Sequence, residues 1–284
     1  MPRDKRKTVA LALGGGGARS LAQIPVLEAL DELGIKPVAV SGVSFGAVIA
    51  AAYCSGMSGK AIRRTVIEMA HDRNAVFSRL MAARVANLSD WLSTPFGNPL
   101  LIDAEKFCDK FLPAELPEDF ASLKIPLTVV ATDLHERAEA ALTEGTLRSA
   151  VAASIAIPGL MRPVERDGCV LVDGAAVNPL PFDHLRGEAD IVIAVDAAVG
   201  PGNVGEVPDS WEALAATMAV IGSGIVAQKL AGGAPDLILR PNVSVFRLFD
   251  FFRASAVLRA ADPIKAEVKQ KLEALLGRGA KPKI

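Results

Sequence analysis

The stretch Pro37-Val38-Ala39-Val40-Ser41-Gly42-Val43-Ser44-Phe45-Gly46-Ala47-Val48-Ile49-Ala50-Ala51-Ala52 decides how the rest of the chain is read. It predicts a short apolar strand, a Gly-x-Ser-x-Gly turn centred on Ser44, and an alanine-rich helix that starts at once. Strand-to-helix turns of this form present a serine hydroxyl on a sharp bend, and flanking glycines such as Gly42 and Gly46 let neighbouring segments crowd it. The helix N-terminus, with its unpaired N–H groups and positive dipole end, favours developing negative charge beside Ser44. A plain tight turn has the same spacing, so the spacing alone does not make Ser44 a nucleophile.

Upstream, Thr8 to Leu13 is an aliphatic run suited to a buried strand, and it ends in Gly14-Gly15-Gly16-Gly17-Ala18-Arg19-Ser20. Leu21, Ile24, Leu27, Leu30 and Leu33 then recur at helical spacing until Gly34, so the glycines lie between a strand and a helix. A dinucleotide fingerprint would need glycine at position 20 and an acidic residue at the end of the next strand; neither is present. A phosphate-binding P-loop would need Lys followed by Ser or Thr, also absent. The remaining functional reading is an oxyanion hole: N–H groups of Gly15, Gly16 and Gly17 converge on one oxygen, with the charge of Arg19 nearby. A glycine turn serving only close strand-to-helix packing is the competing reading.

Downstream, Ser58 to His71 predicts a helix capped by Ser58, and Val76 to Ile102 an irregular or short-helical insertion carrying Phe77, Leu80, Met81, Trp91, Phe96 and Leu100. Ile125 to Thr132 is a near-continuously apolar strand, and Leu147 to Ile155 a small-residue helix. Val164 to Val172 predicts a hairpin around Asp167-Gly168 that delivers Asp173-Gly174-Ala175 at its end. Ile191 to Val195 is a further buried strand, Glu212 to Leu230 a helix, Leu237 to Leu239 a short strand, and Asp262 to Leu276 a terminal helix. Strands alternating with helices predict an α/β sheet covered on both faces.

The chain has 284 residues, with 31 Lys plus Arg against 32 Asp plus Glu, a balance that offers no electrostatic reason for a nucleic-acid partner. Cys54, Cys108 and Cys169 are far apart and in no CxxC pair, which argues against a disulfide scaffold or a zinc site. The charged start followed by Thr8 to Leu13 is too short for a signal-peptide core, which needs about 7–15 apolar residues. The apolar run Ala213 to Ala227 falls short of the ~20 residues that span a bilayer and predicts a buried helix. A basic tail over 1–7 and one domain over 8–284 are expected, its motifs within 8–195 and a helical part over 205–276. The expected location is cytoplasmic, with peripheral contact on the inner membrane face left open.

A serine hydroxyl needs a base within hydrogen-bond reach. His71 ends a polar-faced helix beside Asp72 and Arg73, and His135 follows a strand end. His184 lies eleven residues after Asp173, in the Ser, Asp, His order of an α/β-hydrolase triad but at short spacing. Asp173 is the better candidate: it closes an apolar strand, and Gly174 and Ala175 leave room beside its carboxylate. Such a carboxylate accepts the Ser44 proton directly if burial tunes its basicity, whereas a turn or N-cap aspartate would look the same in isolation.

Taken together, Gly15-Gly16-Gly17-Ala18-Arg19, Gly42-Val43-Ser44-Phe45-Gly46, Ala153-Ser154 with Pro158, and Asp173-Gly174-Ala175 with Asn178 and Pro179 resemble the patatin-like phospholipase family in order and spacing. The similarity runs from about Thr8 to Val195. The resemblance implies a three-layer α/β/α sandwich with a mainly parallel central sheet, related to the cytosolic phospholipase A2 catalytic domain. It also implies a Ser44–Asp173 dyad, an oxyanion hole at the first glycine motif, and hydrolysis of fatty-acyl esters or (lyso)phospholipids with no metal or cofactor. Two positions depart from the family's pattern: Ser20 replaces the glycine that usually closes the first motif, and Gln23 stands where bacterial members often carry histidine. Acyl transfer by the same dyad, and a non-catalytic lipid-binding protein retaining the fold, remain open. Phe246, Phe249, Phe251 and Phe252 with Arg247 and Arg253 suit a lid, an interfacial anchor or an acyl-chain wall, or the packing of a C-terminal helix.

Overall fold

A computed structural model of the protein describes residues 7–85, 101–198 and 210–277. The basic tail, apart from Lys7, and Trp91, Phe96 and Leu100 of the expected insertion lie outside these residues.

The chain opens with strand β1 (Val9–Leu13), a 3-10 turn over Gly17–Gln23, helix α1 (Ile24–Glu32), strand β2 (Ala39–Val43) and helix α2 (Phe45–Cys54). Helix α1 starts later than the periodicity predicts, because Gly17 takes a left-handed φ of 56° and the turn it begins stays tight until Gln23. Helices α3 (Gly59–His71), α4 (Arg73–Ala82) and α5 (Ala104–Phe111) follow, then strands β3 (Leu127–Asp133) and β4 (Ala138–Leu142) and helix α6 (Leu147–Ile155). Ser58 caps α3 as expected, its hydroxyl accepting from the Ala61 N–H at 3.2 Å. Strand β4 was not foreseen: Ala-Glu-Ala-Ala-Leu has helical propensity, and the Asp133 side chain makes the turn by accepting from the His135 and Glu136 N–H groups.

The predicted hairpin forms as β5 (Val164–Arg166) and β6 (Cys169–Asp173), with Asp167 at φ 51° and Gly168 at φ 80° in its turn. Strand β7 (Ile191–Val195), helix α7 (Ser210–Ala231), strand β8 (Leu237–Leu239) and helices α8 (Ala254–Ala261) and α9 (Ile264–Leu275) complete the described order. The terminal helix expected from Asp262 thus has a second helix before it, and the break falls at Asp262-Pro263, where proline is accepted in a helix's first turn.

One eight-stranded sheet runs in the order β5-β6-β3-β2-β1-β7-β8, with β4 pairing β3 off this path. The central pairs β3/β2, β2/β1, β1/β7 and β7/β8 are parallel, while β4, β5 and β6 pair antiparallel. Alternation along β1 sends Val9, Leu11 and Leu13 into the larger core and Ala10 and Ala12 into a smaller one with Leu180, Phe182 and Leu185. Both faces of the sheet are therefore buried, which accounts for its uninterrupted apolar strands.

Helix α7 corrects two expectations: the run is read as too short to span a bilayer, yet within this helix Ala213–Ala231 is long and apolar enough to cross a membrane by length and composition, and its burial also differs. Ala213 to Ala227 was predicted buried, yet Leu214, Met218, Val220 and Ile221 are exposed, and only Gly222 and Val226 of that run are buried. The run is apolar around its whole circumference, so its composition marks no face for the core; only the narrow line of Gly222, Val226 and Leu230 packs against the body.

Candidate active site

The register of β3 creates the site. Strand β2 pairs with its first half, ending at Val43 opposite Val130, and antiparallel β6 pairs with its second half, ending at Asp173 opposite Ala131. Because β4 takes the other edge of β3, β2 and β6 meet end to end on the same edge. Ser44 and Asp173 are the next residue of one strand and the last of the other. The Ser44 hydroxyl donates to Asp173 Oδ2 at 2.7 Å, with both side chains buried.

Ser44 has φ 53° and ψ −135°, a conformation that costs a side-chain-bearing residue roughly 1–3 kcal/mol. Surrounding bonds hold it. Its N–H donates to Ser154 Oγ at 2.8 Å, the Ser154 hydroxyl donates onward to the Val130 carbonyl at 2.6 Å, and the Ser44 carbonyl accepts from the Ala47 N–H at 2.9 Å. Gly46 permits the bend, since a Cβ there would lie 2.5 Å from the Gly14 carbonyl oxygen. Gly42 fits against α2 in the same way, its Cβ position 2.8 Å from Ala47 Cα. The sequence marks Ser154 only as part of a motif; its bonds make it the strut that fixes the backbone of Ser44.

Asp173 Oδ1 accepts from the Ala175 N–H at 2.8 Å, and its backbone carbonyl accepts from Thr132 Oγ1 at 2.9 Å. Burial raises its pKa to about 6, against the pull of the Ala175 and Ser44 hydrogen bonds on the carboxylate. A Cβ on Gly174 would fall 2.6 Å from the Val130 carbonyl carbon, so the turn after Asp173 has no room for a side chain.

The glycine loop lies across this pair. The Gly15 Cβ position is 3.3 Å from Ser44 Cβ and 3.5 Å from Ala175 Cβ, so a bare Gly15 backs directly onto the serine. Of the three N–H groups expected to face an oxyanion, that of Gly15 is already bonded to the Pro179 carbonyl at 3.0 Å. Those of Gly16 and Gly17 meet no acceptor among the described residues. Gln23 is fully buried and donates from Nε2 to the Gly14 carbonyl at 2.6 Å, which ties down the entrance of the loop and gives the departure at position 23 a structural role. Arg19 is half-buried; burial lowers its pKa, the field of Asp196 opposes this, and its Nε has no hydrogen-bond partner.

Aromatic rings line the neighbourhood of Ser44. Phe45 packs on Phe251 with centroids 4.5 Å apart and meets Phe107 edge-on at 6.4 Å, and Phe107 stacks on Phe111 at 4.4 Å. The sequence pattern does not mark helix α5 and so gives no sign of Phe107 and Phe111 here, whereas Phe251 belongs to the aromatic stretch of the C-terminal part.

No imidazole joins Ser44. His71 ends α3 in solvent, His135 lies in the β3–β4 turn, and His184 pairs with Glu139. Glu139, Asp183 and His184 are a group of metal-ligating types that converge, but Lys229 already lies 2.7 Å from Asp183 Oδ2 and 3.7 Å from Glu139 Oε2. A cavity of about 700 Å³ reaches His184 from the end of the sheet where β2 and β3 begin, and neither Ser44 nor Asp173 lines it.

The His184–Glu139 bond raises the histidine's pKa, with burial opposing it and Asp183 and Lys229 acting in opposite senses. Its stabilisation is therefore complete below the unfolded histidine's pKa of ~6.5 and is lost as pH rises through the higher folded value. His184→Ala is expected to lower the melting temperature more at about pH 6 than at about pH 9. Melting curves at the two pH values check this.

The Patatin-like phospholipase family profile matches residues 11–186. An uncharacterized NTE family protein of Mycobacterium tuberculosis is 38% identical over 188 residues, 66% of this chain and 48% of that protein. Patatin-like phospholipase domain-containing protein 7 of Rattus norvegicus is 33% identical over 191 residues, 66% of this chain and 13% of that protein. The matched region thus spans about half of the mycobacterial relative and a small part of the rat one. Among solved structures, VipD from Legionella pneumophila aligns with a TM-score of 0.49 and 15% identity, covering 94% of this chain and 67% of that one.

Proposed function

Because this chain belongs to the patatin-like phospholipase family, we propose that it hydrolyses acyl esters of lipids with Ser44 as nucleophile and Asp173 as general base. The observation that carries this reading is the 2.7 Å hydrogen bond from the Ser44 hydroxyl to a buried carboxylate whose pKa is raised to about 6. A general base works best when its pKa lies near the operating pH, and this carboxylate is largely ionised at pH 7 while remaining more basic than an exposed one.

In the proposed reaction the Ser44 oxygen forms a bond to the ester carbonyl carbon as its proton passes to Asp173 Oδ2. The carbonyl electron pair moves onto oxygen, and the resulting oxyanion takes hydrogen bonds from the Gly16 and Gly17 N–H groups. Gly15 supplies clearance beside the serine. Collapse of the intermediate breaks the bond to the alcohol, which leaves with the proton held by Asp173. Water then gives a proton to the same carboxylate as it attacks the acyl-serine, and the proton returns to Ser44 as the fatty acid departs. Phe45, Phe251 and Phe107 supply an apolar wall for the acyl chain.

Two readouts test the proposal. A fluorophosphonate probe is expected to label the protein at Ser44 and to leave Ser44→Ala unlabelled. With a chromogenic acyl ester, kcat/KM is expected to rise as pH increases through about 6, because only ionised Asp173 accepts the proton, and to level off above. A folded protein that never reacts with the probe would favour a non-catalytic lipid-binding role. A flat acid limb would remove Asp173 as the base.

A further inference from the structure

We propose that the side of the protein bearing the Gly14–Gly17 loop docks on an anionic lipid surface, inserting apolar side chains of α7 and of the 245–253 stretch and setting arginines against the headgroups. This rests on the lipid-ester reading above and names the surface from which such a site draws its substrate.

Helix α7 carries no charged residue from Ala213 to Gln228, and Val220 and Ile221 are 73% and 50% exposed. Two of its hydroxyls are bonded internally: Thr217 Oγ1 donates to the Ala213 carbonyl and Ser223 Oγ to the Ala219 carbonyl, each at 2.8 Å. In water these hydroxyls have solvent partners in plenty. In an apolar medium an unbonded hydroxyl is costly, so internal bonding removes the polar obstacle to entering lipid. The helix is held at its base, where Lys229 pairs with Asp183.

The second element is basic and aromatic. Arg73, Phe77 and Met81 repeat every four residues along α4, and Phe77 and Met81 are exposed. The Arg73 guanidinium sits 5.4 Å over the ring of Phe252, joining α4 to the C-terminal stretch, where Phe249 and Phe252 are exposed. Arg73, Arg79, Arg247 and Arg253 are exposed, against two carboxylates in residues 72–85 and 245–253. Asp72 caps α4 through the Ala75 N–H, and Asp250 is occupied by the Arg247 N–H and the Arg253 guanidinium. The patch is therefore positive on a chain of net charge −1. An anionic headgroup layer complements it, whereas the same patch of a second copy would repel it.

The C-terminal stretch touches the glycine loop directly, and α7 reaches it through Pro179. A Cβ on Gly222 of α7 would lie 3.2 Å from the ring of Pro179, whose carbonyl accepts the Gly15 N–H. From the C-terminal stretch, the Leu248 carbonyl accepts the Ala18 N–H at 2.7 Å. The basic aromatic patch thus meets the loop that backs onto Ser44, and the apolar helix meets the residue that holds the Gly15 N–H.

Vesicle flotation tests the proposal, using the Ser44→Ala protein so that no lipid is consumed. Phosphatidylcholine vesicles containing phosphatidylglycerol are expected to carry the protein, pure phosphatidylcholine vesicles far less, and added salt to weaken the binding. Val220→Asp with Ile221→Asp, and separately Arg73→Glu with Phe252→Ser, are expected to reduce binding roughly tenfold. The same substitutions with Ser44 intact should leave hydrolysis of a soluble short-chain ester unchanged, which excludes unfolding as the cause. Equal flotation of variants and parent overturns the proposal. So does absence of flotation together with a concentration-dependent oligomer that Val220→Asp with Ile221→Asp disperses, since a second copy then covers the helix. Flotation by a protein whose Ser44 never reacts with fluorophosphonate refutes the hydrolase reading and leaves the docking surface standing.

Discussion

Asp173→Asn is expected to lower turnover of an acyl ester by about 10⁴-fold or more while melting at or above the parent temperature at pH 7. The catalytic loss follows from the proposed chemistry, because an amide cannot take the Ser44 proton. The stability gain follows from burial. The carboxyl pKa is raised to about 6 in the folded protein, against ~3.9 for an unfolded aspartate. Folding is thus favoured by this group below about pH 4, and that contribution is lost as pH rises towards 6. At pH 7 the buried charge is a net cost that asparagine does not carry. The amide keeps the geometry, with its oxygen accepting from the Ala175 N–H and its nitrogen donating to Ser44 Oγ. Ser44→Ala should be equally inactive, and combining the two substitutions should cost little more than either alone, as for groups that act as one unit. Retained turnover in Asp173→Asn with loss in His184→Ala would replace the dyad by a histidine-based arrangement.

Gly46→Ala is expected to destabilise the fold by about 3 kcal/mol or to prevent folding altogether. The added methyl would stand 2.5 Å from the Gly14 carbonyl oxygen and also inside contact with the Leu13 carbonyl. Both are backbone atoms at the end of the central strand β1, so no rotamer change relieves the overlap; α2 must move away from the sheet and take Ser44 with it. Gly224→Ala is the control. Nothing lies within 4 Å of its Cβ position, and it sits in the exposed part of α7, where alanine favours helix by roughly 1 kcal/mol over glycine. Denaturant unfolding of the two variants separates a steric demand at the elbow from a general effect of losing a glycine. A Gly46→Ala protein as stable as the parent would mean that α2 is not held against β1 in this way.

Much of the site was legible because each of its parts is a local event. A strand, a bend and a helix start at Ser44 leave a periodic trace, and so does the hairpin that ends at Asp173. Other features were not legible, and three show why. Strand β4 has a helical composition, and its strand pairing comes from β3. Helix α7 has no polar face to show which side would be covered, so its apolar run looked like core. The N–H of Gly15 looked like a free donor because its acceptor, the Pro179 carbonyl, lies far along the chain.

By itself the sequence determined the α/β class, the Ser44 elbow and the glycine loop, since hydrophobic period and glycine placement act over a few residues. Only the tertiary structure decided that β2 and β6 meet on one edge of β3, which brings Ser44 Oγ to 2.7 Å from Asp173. It also decided that Ser154 braces the strained serine and that desolvation raises the Asp173 pKa. These depend on strand register and burial, which arise from contacts between residues distant in sequence.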